Sequence, residues 1–202
     1  MKTRALAAEM RAASAAISKS DIDELEALGI ARREIEIFEM VGLARIQRVA
    51  DSPLYEPAED RGALAYISPV LSQHANSPEA QRPEIYVRIG NIVDLVAWDP
   101  AEPRQWALRS GQAGWLGCVP PQYLDSEPVA VWRSVLAWFR GGCAGVVPLS
   151  REAAETYTLL MGLHGGIIAE DRVHAAELRR ILERPWPMPS MTFPTEAHIA
   201  AG

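Results

Sequence analysis

Apolar residues change their spacing along this chain, and the changes mark its elements. From Lys2 to Ile17 the run is rich in alanine and favours helix, with Lys2, Arg4, Arg11 and Lys19 set against the single acid Glu9. Ser20 followed by Asp23 gives a capping-box-like start to a short helix ending at Gly29. A further helix is predicted from Ala31 to Met40, closed by Gly42. From Leu43 the pattern turns to strands: "LARIQRV" and "ALAYISPV", separated by a polar loop with Pro53, Pro57 and Gly62. The stretch "EIYVRIGNIVDLVAW" predicts two more strands joined by a two-residue hairpin at Gly90-Asn91.

Beyond Trp98 a loop-rich stretch with Pro100, Pro103, Pro120 and Pro121 encloses a short helix over "RQWALRSGQAGWLG". Val129 to Arg140 is predicted as an amphipathic helix, with Trp132, Val135, Leu136 and Phe139 at helical spacing and Gly141-Gly142 as its stop. "CAGVVPL" reads as a short strand. Ser150 caps a helix carrying Ala153, Tyr157, Leu160 and Met161 on one face and ending at Gly162. "GGIIA" reads as another strand, followed by a last helix up to Glu183. In "RPWPMPSMTFP", Pro185, Pro187, Pro189 and Pro194 forbid regular helix, so an extended tail is expected. The order gives an α+β or mixed α/β fold: an N-terminal helical segment (1–42), a globular portion (43–184) with a central antiparallel section and a C-terminal β-α-β-α part, and an extended Pro-rich tail (185–202).

Composition narrows the function classes. The chain has 202 residues, 49% of them hydrophobic, enough to bury a real core. Its net charge of −6 favours neither polyanions nor anionic membranes as partners. Lysine occurs only at Lys2 and Lys19, an arginine preference read as the coding bias of a GC-rich genome. Cys118 and Cys143 form no CxxC pair, which excludes a zinc knuckle or thioredoxin-like motif. The start "MKTRALAAEMRAASAAIS" begins like a signal peptide, but Glu9 and Arg11 interrupt its apolar core. No run approaches the roughly 18 apolar residues of a membrane span. A cytoplasmic protein with reduced thiols is expected.

The stretch "GLHGGIIAEDRVHAAELRRIL" holds the densest candidate chemistry: His164, the adjacent acids Glu170 and Asp171, and His174. Advancing about 100° per residue from Asp171 puts Ala175, Leu178, Ile181 and Leu182 on one stripe, with His174 inside it. Asp171 is then an N-cap accepting the amide of His174, and that helix-start reading is preferred. The alternative groups His164, Asp171 and His174 as a two-histidine, one-carboxylate metal set. "GGIIAED" also resembles the strand-acid-helix element of Toprim domains, found in primases and topoisomerases. That family's metal takes acids spaced as DxD, whereas Glu170 and Asp171 are adjacent, and no activity is carried over.

Asp94 interrupts an apolar strand on the face of Ile85, Val87, Ile89, Ile92 and Val96. A buried carboxylate needs a partner, so an arginine or a backbone turn is expected beside it. The functional alternative is a general base with Asp99 as its partner carboxylate. "DIDELEALGIARREIEIFEMVG" resembles a helix-turn-helix unit with Leu28-Gly29-Ile30 as the turn and Arg32 and Arg33 opening the recognition helix. Leu25 stands where that motif uses a small residue, and Glu34, Glu36 and Glu39 set negative charge on the reading helix. No GxxxxGK[ST] or GxGxxG is present. Cys143 reads as an inert core thiol.

There are six tryptophans, and one of Trp132 and Trp138, six apart on one predicted helix, is expected to be exposed. In the tail, Trp186 and Phe193 are interface candidates. Three readings follow. The first is a non-enzymatic intracellular protein acting through protein contacts, with a protein partner or self-association favoured over nucleic acid and no cofactor. The second is a DNA-binding regulator using residues 21–40. The third is a hydrolase or metal-dependent enzyme using Asp94/Asp99 or His164/Asp171/His174.

Overall fold

The computed structural model describes residues 2–71, 92–117 and 127–184. The expected hairpin at Gly90-Asn91, Cys118, and the tail with Trp186 and Phe193 lie outside these residues. Within them the chain is a mixed α+β fold built on an antiparallel sheet. Its strands are β1 (Gly42–Arg48), β2 (Tyr55–Pro57), β3 (Ala63–Leu71), β4 (Ile92–Trp98) and β5 (Trp106–Leu108), in the order β2-β1-β3-β4-β5. β4 is buried along nearly its whole length, because both faces of the sheet are covered.

Helix α1 (Lys2–Ala15) lies on one face. Leu6, Met10 and Ala13 recur at helical spacing and pack against Ile46, Ile67, Leu95 and Ala97. Gly42 permits the approach: a Cβ there would stand 2.6 Å from that of Ala13. The other face carries Tyr66, Val96 and Trp98, covered by Leu25, Ile30 and Ile35 and by Leu136, Trp138 and Phe139. Trp98 locks the seam by donating its indole N–H to the Ser68 hydroxyl at 3.0 Å, with both residues buried.

The N-terminal helices start and stop differently from expectation. α2 (Lys19–Ala27) is capped by Ser18, not Ser20; the Ser18 hydroxyl accepts from the Asp21 amide and the Asp21 carboxylate accepts from the Ser18 amide. Leu25 of this helix is buried in the core. α3 is a short helix, Arg32–Glu36, rather than a run to Met40. The chain leaves it through Glu39 at φ 49°, which turns Met40 and Val41 into the core.

Two further predicted helices are corrected. "RQWALRSGQAGWLG" forms β5 and β6 (Trp115–Leu116), because Gly111, at φ +70°, and Gly114 break the helical run. Trp106, Ala107 and Leu108 are instead all buried in the ladder to β4. Val129 to Arg140 divides into strand β7 (Val129–Val131) and helix α4 (Val135–Arg140). Ser134 makes the break: it is extended, and its hydroxyl accepts from the Ala137 amide. Of the two tryptophans here, Trp138 is buried and Trp132 partly exposed, its indole donating to the Ala144 carbonyl.

The C-terminal part follows the expected order. β8 (Val147–Pro148) leads to α5 (Ala153–Met161), then β9 (Ile167–Ala169) and α6 (Arg172–Leu182). The N-cap of α5 is Glu152 rather than Ser150, whose hydroxyl accepts from the Glu152 amide. β7 runs parallel to β9 and makes a parallel bridge to Val146 on its other side. Val129, Val131 and Val146 pack with Leu160, Leu163 and Leu178 from the α5–α6 layer. α4 instead packs toward the large sheet. The helices that follow β7 and β9 therefore leave to opposite sides, and a switch point lies between the carboxyl ends of these strands.

Candidate functional site

Arg133 stands just beyond β7, and Glu170 and Asp171 just beyond β9, so the parallel pairing brings them together at the switch point. The Arg133 guanidinium donates to both Asp171 oxygens at 2.6 and 3.0 Å and to Glu177, one turn further along α6 than His174, at 3.0 Å. It lies 3.6 Å from the Glu170 carboxylate, which also accepts the Arg133 backbone amide. One guanidinium, 14% exposed, thus gathers three carboxylates. Hydrogen bonds from Arg133, then the cap bond from the His174 amide, hold the Asp171 carboxyl well below its ordinary value. The bonds to Asp171 first, and then to Glu177, raise Arg133 further.

Asp171 is the N-cap of α6, accepting the His174 amide at 2.7 Å, as the helix-start reading requires. His174 is 4% exposed and faces inward. Its Nδ1 accepts the Glu170 amide at 3.2 Å, which places the proton of the neutral ring on Nε2. Burial, with Arg133 second, pushes the imidazole below its ordinary value, against Glu170, Glu177 and Asp171, which raise it. A depressed histidine contributes stability above its unfolded value of 6.5 that is lost as pH falls through the folded value. Urea midpoints of the wild type should therefore decline as pH drops below 6.5. In His174→Asn, whose amide oxygen replaces Nδ1 as acceptor, that slope should be missing; equal slopes would refute the assignment.

His164 does not join this cluster. It is exposed before β9, while Asp171 and His174 follow the far end of the strand. Among the described residues no group of three or more His, Cys, Asp or Glu side chains is placed to hold a metal ion. The proposed His164/Asp171/His174 set is therefore not assembled: a strand separates residues that the sequence brings close.

Asp94 and Asp99 are also apart, at opposite ends of β4. Asp94 is fully buried, and its partner is a backbone turn. Oδ1 accepts from Leu95 at 2.9 Å and Ser110 at 2.8 Å; Oδ2 accepts from Gln112 at 2.7 Å and Ala113 at 3.3 Å. Asp99 closes its own turn by accepting the Ala101 amide at 2.8 Å. No carboxylate dyad forms between them.

Arg32 is paired with three acids on the surface. It reaches Asp23 at 2.9 Å, Glu26 at 2.7 Å and Glu36 at 3.1 Å. Arg33 pairs with the buried Glu34 at 3.0 Å. The helix that carries both is Arg32–Glu36, five residues long. On the far side of Glu34 the Cys143 thiol donates to it at 3.7 Å; burial, then Glu34, pushes that thiol well up and leaves it inert.

Arg133 and Glu177 escape sequence reasoning. Arg133 falls inside what reads as one helix, and only the strand pairing brings it to the acids after β9. Compared with models of known protein families, with curated proteins and with solved structures, the chain finds no match.

Proposed function

We propose that this protein acts through protein contacts rather than through a reaction of its own, and that it receives an extended partner segment along β9. The observation that carries this reading is the free edge of that strand. Gly166 turns its carbonyl to the Val129 amide, so by alternation Ile168 also bonds toward β7 while the backbone groups of Ile167 and Ala169 point away. Among the described residues no strand pairs with that edge. Ile168 is 53% and Val173 65% exposed, where a partner strand would bury them. The individual acids and His174 singled out as catalytic candidates are held by caps, turns and the Arg133 cluster, which supports the same reading.

A photo-crosslinking residue placed at 168 or 173 in the native host should give one defined product, with none from the exposed control position Leu64. Ile168→Glu should abolish the 173 product without lowering the melting temperature. A product at twice the chain mass would make the partner a second copy. Equal yields from all three positions would defeat the proposal.

A further inference from the structure

A separate cavity of about 490 Å³ opens between α5 and the turn that leads into β6. The turn runs from Gly111 to Gly114, and Asp94 fixes it by accepting the amides of Gln112 and Ala113. On the opposite side Glu155, Thr158, Leu159, Gly162 and Leu163 line the cavity. Their spacing is that of one helical face, so α5 presents a single stripe to it from the first turn to just beyond its end.

The lining divides into a hydrocarbon part and a negative part. Ala113, Trp115, Leu159 and Leu163 supply apolar walls, with Trp115 held in place by the pairing of β6 with β8. Glu155 is exposed, so its carboxylate is open to a ligand. Among the described residues it is the only ionisable side chain in the lining, and no cation pairs with it. Arg151, one turn earlier, is drawn elsewhere: its guanidinium lies over the Trp106 ring, 5.7 Å from the centroid. The Thr158 hydroxyl, three residues along the same stripe, donates to the Ala154 carbonyl at 3.0 Å, which leaves its oxygen as an acceptor. At the far end α5 stops at Gly162, where the last carbonyls of a helix leave partial negative charge.

The charges select the ligand class. An anion would meet Glu155 and the end of α5 with no cation in the lining to offset either. A neutral molecule would displace water from the carboxylate without replacing its interactions. We infer that the cavity binds a small organic cation, a primary ammonium on a hydrocarbon body of hexyl or phenylethyl size. The ammonium meets the Glu155 carboxylate and the Thr158 hydroxyl oxygen, and the hydrocarbon lies on Trp115, Leu159 and Leu163.

Titration calorimetry on the full chain tests this with hexylamine, 2-phenylethylamine, 2-phenylethanol, phenylacetate and methylamine. Hexylamine or 2-phenylethylamine should bind saturably at one site. The neutral alcohol, the anion, and methylamine, which has the charge without the body, should bind at least about tenfold more weakly. Glu155→Gln should weaken binding about tenfold or more while the melting temperature changes little, because the side chain is solvated. Glu152→Gln removes an exposed acid at the start of the same helix but outside the lining, and should bind like wild type. That control separates a site from a general attraction of amines to a chain of net charge −6. The inference fails if neither of the two larger amines binds at millimolar concentration, if the alcohol, the anion or methylamine binds as well, or if Glu155→Gln and Glu152→Gln bind alike.

Discussion

Asp94→Ala is expected to lower the unfolding free energy by about 3 kcal/mol or more. The carboxylate is fully buried and receives the amides of Leu95, Ser110, Gln112 and Ala113, so it holds the turn after β5 against β4. Removing it leaves these N–H groups without their acceptor. Asp94→Asn should have a smaller effect in the same direction. Its amide oxygen keeps the bonds on one side, but its NH₂ group meets donors on the other. Denaturant unfolding measures the loss, and hydrogen exchange locates it: the amides of Ser110, Gln112 and Ala113 should lose protection first. A catalytic carboxylate would behave otherwise, since its removal usually leaves stability unchanged or raises it. An Asp94→Ala protein as stable as the wild type would overturn the structural role.

Arg133→Ala should have the next largest effect, for the converse reason. It removes the cation that Glu170, Asp171 and Glu177 share, and leaves three carboxylates facing one another. The melting temperature should fall further than for Arg32→Ala, where the side chain is 40% exposed and the acids left behind are solvated. The pH dependence identifies the mechanism. Asp171 is depressed in the folded chain, so it contributes stability that is present above its ordinary value of 3.8 and is lost as pH falls through the folded value. Arg133 supplies the largest part of that depression, so Arg133→Ala should flatten this acid-side decline while lowering stability at neutral pH. Arg133→Lys restores the charge without the two-pronged fit to Asp171 and should recover part of the loss. If Arg133→Ala and Arg32→Ala melt alike, the cluster at the switch point is a surface feature and not a clasp.

The elements legible in the sequence are those whose signal is local. The last helix follows from its apolar stripe and from Asp171, because a cap needs only residues three apart. β1 and β3 follow from runs of apolar and β-branched residues, and the mixed α+β class from their order. The burial of Asp94 and its need for a partner follow from a charge in an apolar strand. What the sequence leaves open is every choice that depends on a distant segment. Val129 and Val131 fit a helix stripe as well as a strand, and only pairing with Ile167 to Ala169 selects the strand. Ser18 and Ser20 each stand three residues before an aspartate, so spacing alone does not choose between them, and the folded chain uses Ser18. His164 and His174 are close along the chain, but β9 separates them, while Arg133 and Asp171, far apart in sequence, meet because two parallel strands end side by side. Periodicity and capping act over a few residues and are written in the chain. Register and the meeting of charges are set by which strands pair, a long-range property that becomes definite only when the core closes.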